Sequence, residues 1–130
     1  MIIEVCANSF QSACNAQIAR ADRVELCSEL SIGGITPSYG LLKKITSKLD
    51  IPVHVLIRPR SGDFCYSSSE FEIMKENILL CKSLDCSGIV SGILLKDMTV
   101  DEQRTKQLID LAYPLPFTFH RAFDWVSDPI

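Results

Sequence analysis

The chain has 130 residues, a formal charge of −3 and a hydrophobic fraction of 47%, which is enough apolar material for one globular core and too little length for two ordinary domains. The acidic balance, without a run of Lys or Arg, excludes the basic footprint that a nucleic-acid backbone or an anionic membrane surface would require, so neither is expected as a partner. Glu4 stands where an export leader would carry basic residues, and no apolar stretch approaches the ~18 residues of a membrane span, so a cytoplasmic location is expected.

In chain order, Ile2 to Cys6 reads as a strand, and Asn8 or Ser9 caps a helix whose inner face would be Phe10, Cys14, Ile18 and Ala21. Arg23 to Cys27 repeats the strand. After the loop SELSIGGITPS, Leu41, Leu42, Ile45 and Leu49 mark one face of a second helix. Pro52 opens a third strand through Val53, Val55 and Ile57. Ser69 with Glu72 predicts a capping box for a third helix lined by Phe71, Met74, Ile78 and Cys81. Gly88 to Leu95 reads as a buried strand, Thr99 with Glu102 starts a fourth helix carrying Leu108, Ile109 and Ala112, and Pro116 to His120 is a fifth strand.

Strict β-α alternation predicts an α/β fold of parallel strands with helices outside, wound either as an open sheet or as a barrel. Alternation within the strands favours the barrel, because a sheet covered on both faces reads as continuously apolar. Glu4 and Cys6 share one face of strand one against Ile3 and Val5, and strand two repeats this E-x-C pattern with Glu25 and Cys27 against Val24 and Leu26. His54, Leu56 and Arg58 oppose Val53, Val55 and Ile57 in strand three, as Thr118 and His120 oppose Phe117 and Phe119 in strand five. A complete TIM-type barrel needs roughly 200 residues or more. Residues 1–130 are therefore expected to form a single incomplete domain, the N-terminal part of a (β/α) barrel with about five of its eight βα units. Its two open sheet edges predict a homo-oligomer in which another copy closes the gap, unless the native chain continues beyond Ile130.

The segments EVCANS (4–9), ADRVELC (21–27), GGITPSYG (33–40), IPVHVLIRPRSGDFCYS (51–67) and TFHRAFD (118–124) resemble, collinearly over the whole chain, the CutC family. The resemblance implies a TIM-type barrel, a cytosolic role in copper homeostasis, and a Cu(I) site at the cysteines ending strands one and two, here Cys6 and Cys27. Three departures stand out. Ala19 and Arg20 replace a favoured Gly pair, Ser61 replaces the first Gly of RPRGGDF, and Asp85, Cys86 and Ser87 replace GAD. Ser61 puts in question any need for a positive φ at that position.

Chemistry alone supports two readings. Six cysteines without C-x-x-C spacing exclude an ordinary structural zinc site, and in a reducing compartment they stay free or bind metal. Cys6 and Cys27, on adjacent strands about 4.8 Å apart, could offer two thiolates to a soft ion such as Cu(I); as an alternative, they are small buried hydrophobes. Cys14, Cys81 and Cys86 read as core residues. In the second reading the protein is a barrel enzyme acting on a small anionic molecule, with or without a divalent metal. Arg58, Arg60, Asp63 and Arg121 would then hold the substrate, and Glu25, His120 and Asp124 would be catalytic candidates at strand ends. Arg58 could equally neutralise Glu4 and Glu25 inside the lumen. The residues leave open whether a substrate is turned over, and which one.

Overall fold

The computed structural model describes residues 1–129. Strands β1 (Glu4–Ala7), β2 (Arg23–Leu26), β3 (Val53–Leu56), β4 (Gly88–Ser91) and β5 (Phe117–Phe119) form one parallel sheet in chain order. Helices α1 (Phe10–Ile18), α2 (Tyr39–Thr46), α3 (Ser68–Ser83) and α4 (Glu102–Ala112) connect them. A doubly wound sheet reverses its strand order at a switch point. This sheet never does, so right-handed crossovers put every helix on the same side. The fold is the partial (β/α) barrel that the alternation predicts.

Period-two alternation sorts the side chains. Ala7, Val24, Leu26, Val53, Val55, Ile57 and Ile89 join Leu42, Ile45, Met74, Ile78 and Leu108 in the main core between sheet and helices. Cys27, Leu56 and Val90 form a separate small cluster on the inner face. The predicted face of α3 is buried as expected through Phe71, Met74, Ile78 and Cys81.

Several local expectations are corrected. The α3 capping box is Ser67 with Glu70, closed by reciprocal bonds of 3.2 and 2.8 Å, and not Ser69 with Glu72. Three consecutive serines before two glutamates make that spacing degenerate. Helix α1 seats Ala13 and Ala16 on the sheet. Ile18, its last residue, lies 78% exposed, because the small alanines allow close approach on a face rotated away from Cys14 and Ile18. In α4 the N-cap is Asp101, accepting from Arg104 N at 3.0 Å, while Thr99 bonds Asp97 and Ile109 faces outward. Strand β4 ends at Ser91; the apolar run continues as a loop in which Leu94 bridges Val100 in antiparallel sense. Beyond β5, residues 121–125 form a 3-10 turn, Arg121–Trp125, capped by His120.

Ser61 does not hold a left-handed conformation, whereas Gly62 does, at φ +93°. The glycine replacements with consequences are the other two. Arg20 (φ 65°) and Asp85 (φ 57°) adopt the left-handed region where the family pattern favours glycine, at a cost of roughly 1–2 kcal/mol each. Among the described residues, no helix is long and apolar enough to cross a membrane.

Candidate functional site at the carboxyl ends of the strands

The ladder register arranges the inner face in layers. Cys6 pairs with Glu25, Glu25 with His54, and His54 with Gly88, giving one level row across four strands. The layer above is apolar: Leu56 pairs with Val90 and Val90 with Thr118, and Cys27, directly after β2, packs against Leu56 and Val90. At the top, Arg58 follows β3 and His120 lies over Gly92. Cys6 and Cys27 thus share a face on adjacent strands, as the E-x-C repeat suggests, but they are not level. Cys27 stands one inward-facing position higher, a diagonal of about 8 Å between Cα positions by strand geometry.

Electrostatics differ between the layers. The Glu25 carboxyl is pushed up to about 7, first by burial and then by the charge and hydrogen bond of Glu4, with Arg23 pulling the other way. Arg23 forms an ion pair with Glu4, so Arg23, and not Arg58, neutralises the acid at the base of the lumen. The Cys6 thiol is raised by burial, Glu25 and Glu4. Burial, then Cys6 and Glu25, push Cys27 up to about 11. Its sulfur points to the Ala7 carbonyl at 3.7 Å. Both thiols are therefore protonated at neutral pH, and an ion binding them must displace protons.

The two histidines depend on glycines in β4 and just beyond it. A Cβ on Gly88 would fall 2.6 Å from the His54 ring, and one on Gly92 would fall 2.8 Å from that of His120. His54 is lowered by burial and Arg23. His120 is pushed down to about 4, mainly by burial, with Arg58 adding to the effect. Its Nδ1 accepts from Ala122 N at 3.1 Å, which fixes the proton of the neutral ring on Nε2.

The arginines expected to clamp an anion are largely engaged with their own loops. Arg58 is buried, and its terminal nitrogens donate to the carbonyls of Ile32, Gly34 and Gly62 at 2.8–3.0 Å. Arg60 bonds Glu70, Asp63 and the Ser61 and Cys65 carbonyls. Arg121, with its side chain 95% exposed, pairs with Asp124 at 2.8 Å. Asp124 therefore faces solvent beside Arg121, away from Glu25, which lies two layers below His120. An open cavity of about 610 Å³ lies at the same end of the strands, lined by Cys65, Tyr66, Lys96 and Arg104 among others, but not by Cys6 or Cys27.

Sequence reasoning missed Arg23, His54, Gly88 and Gly92 as site residues. Their signal was parity: each occupies the inward phase of its strand or of the strand's continuation.

A parallel sheet in chain order, helices on its outer side and polar groups on its inner face define a (β/α)-barrel protein with its candidate site at the strand ends. The CutC family model matches residues 1–130, and the chain belongs to the CutC family. It is 50% identical over 129 residues to the human copper homeostasis protein cutC homolog, covering 99% of this chain and 47% of that protein. It is 49% identical over 128 residues to the family protein CutC of Chromobacterium violaceum, covering 98% of this chain and 52% of the relative. A crystal structure of CutC from Streptococcus agalactiae superposes with a TM-score of 0.90 at 40% identity, covering 97% of this chain and 62% of that one. The chain spans about half the length of the curated relatives it matches.

Proposed function

We propose that this protein serves cytoplasmic copper homeostasis by holding Cu(I) between the thiols of Cys6 and Cys27. The observation that carries the reading is the β1–β2 ladder, which brings both thiols to one face of adjacent strands. Cys27 sits among Leu56 and Val90, and thiols in soft, weakly hydrated surroundings select Cu(I) over hard cations. Among the described residues, no group of three or more His, Cys, Asp and Glu side chains is gathered as for a metal ion. The name of the human relative, a copper homeostasis protein, supports the copper-homeostasis part of this reading.

The chemistry of uptake follows from the surroundings. A monovalent soft cation entering between two neutral thiols displaces their protons to form thiolate bonds. The Glu25 carboxyl, level with Cys6, can take up or pass on one of them. The test is a Cu(I) titration of the reduced protein against a competing chelator, repeated with Cys6→Ser, Cys27→Ser and the double variant, each checked for folding by circular dichroism. The proposal expects each single variant to lose most of the affinity; an unchanged affinity in a folded double variant contradicts it.

A further inference from the structure

On the inner face of the sheet Cys6 is exposed, whereas Cys27, one layer higher, is only 2% exposed. Part of that cover comes from the turn between β2 and α2. Ser28 and Ile35 close the turn with an antiparallel bridge, N–H to carbonyl in both directions at 2.9 and 2.8 Å. Its end folds back onto the thiol. A Cβ on Gly34 would fall 3.3 Å from the Cys27 Cβ, 3.5 Å from its sulfur and 2.9 Å from Leu56 Cδ2, and one on Gly33 would fall 3.2 Å from Arg58 Nη1. Both glycines hold left-handed backbone, at φ +86° and +87°, which a side chain would strain. The Gly33–Gly34 pair thus lets backbone pack against the Cys27 side chain on one side and the Arg58 guanidinium on the other.

The turn is otherwise weakly tied. Residues 29–33 are exposed, and the N–H groups of Ile32, Gly33 and Gly34 donate to the Glu29 and Leu30 carbonyls within the turn itself. Among the described residues, two hydrogen bonds join residues 29–34 to the rest of the chain. Both are donated by Arg58 Nη1, to the Ile32 carbonyl at 3.0 Å and the Gly34 carbonyl at 2.9 Å. Nη2 donates to the Gly62 carbonyl at 2.8 Å. A buried charge needs such partners, so lifting the turn would leave the buried Arg58 guanidinium short of two of its three carbonyls. The closed position is favoured for that reason.

We propose that residues 29–34 form a lid over the Cys27 thiol and that Arg58 is the positioning residue that latches it shut. A segment held to the body of the protein by so few bonds opens locally, without global unfolding. The consequence for copper rests on the reading of Cys27 as a Cu(I) ligand: the ion reaches and leaves that sulfur when the turn lifts, so the latch sets the rate of exchange.

The test is alkylation of the reduced, copper-free protein by iodoacetamide, followed cysteine by cysteine by mass spectrometry. In the wild type Cys6 should react well ahead of Cys27. Arg58→Met keeps the stem and removes the donors, while Gly34→Ala leaves Arg58 in place and sets a methyl group against Leu56 and Cys27. Each should speed the labelling of Cys27 about tenfold or more, with Cys81 and Cys86, buried in the main core, as slow as in the wild type. If only one variant folds, that variant decides. Unchanged labelling of Cys27, or a parallel rise at Cys27, Cys81 and Cys86 that marks loss of the whole fold, overturns the latch. Transfer of Cu(I) from the loaded protein to a chelator should quicken in step, and labelling that quickens without it overturns the copper consequence. The labelling involves no copper, so a failure of the lid and a failure of the Cu(I) site are told apart.

Discussion

Cys6 stands level with Glu25 across the β1–β2 ladder, one inward-facing layer below Cys27. The repeated E-x-C pattern invites a register in which the cysteines face each other, but closing a barrel requires neighbouring strands to be staggered. The stagger places a carboxyl beside one thiol and leaves the other in an apolar layer with Leu56 and Val90. A polar and a soft environment thus meet within one diagonal of the sheet.

That carboxyl has its own pH signature. The folded-state value of Glu25, about 7, lies above the ordinary 4.5. Its contribution favours the fold below pH 4.5 and is lost as the pH rises through 7. Glu25→Gln never ionises, so its Tm should exceed that of the wild type at pH 8 and approach it at pH 5. Equal differences at both pH values would contradict a carboxyl raised by burial and by Glu4 as the cause.

His120 works in the opposite sense. Its folded value of about 4 lies below the ordinary 6.5, so the unfolded chain binds the proton more readily and stability falls as the pH drops from 6.5 toward 4. The loss amounts to at most about 3 kcal/mol. Denaturant titrations at pH 7 and pH 4.5 should show it in the wild type and not in His120→Asn.

Gly88 and Gly92 make room for the histidine rings. Gly88→Ala sets a methyl group 2.6 Å from His54. The ring is buried against the sheet and must shift, at a cost of about 1–3 kcal/mol as for other overpacked cores. A loss of that size in the chemical denaturation midpoint is expected. Gly40, with open space where its Cβ would be, is the control: it lies in the exposed first turn of α2, and Gly40→Ala should be neutral or stabilising.

Arg20 is exposed and holds φ at 65°. Arg20→Gly relieves left-handed strain at the end of α1 and should raise stability by up to about 1 kcal/mol, less than the full strain because glycine gains entropy in the unfolded chain. A thermal melt decides it, and a lowered Tm would show that the arginine side chain contributes more than its backbone costs.

Much of this was legible from residue order. Binary patterning gave the five strands, the outward core and the inner polar face, because apolar period is what a sheet buried under helices imposes. The buried face of α3 was readable, since Phe71, Met74, Ile78 and Cys81 sit at helical spacing, but its cap was not, because three consecutive serines offer the same box. The α1 face was not, because two alanines could outpack Ile18 only once the helix axis had settled on the sheet. The site was half legible. Cys6, Cys27, Arg58 and His120 lie on the expected face, but register depends on barrel stagger, which no local pattern encodes. The spending of the Arg58 and Arg60 donors on loop carbonyls depends on loop paths that become visible only in three dimensions.

The most direct measurement of the copper site is X-ray absorption at the Cu edge of the reduced protein loaded with one equivalent of Cu(I). The account predicts a first shell of two sulfur atoms, lost or replaced by oxygen and nitrogen scatterers in Cys6→Ser and Cys27→Ser. A first shell of nitrogen and oxygen in the wild type, or a two-sulfur shell that persists in the double variant, would contradict it.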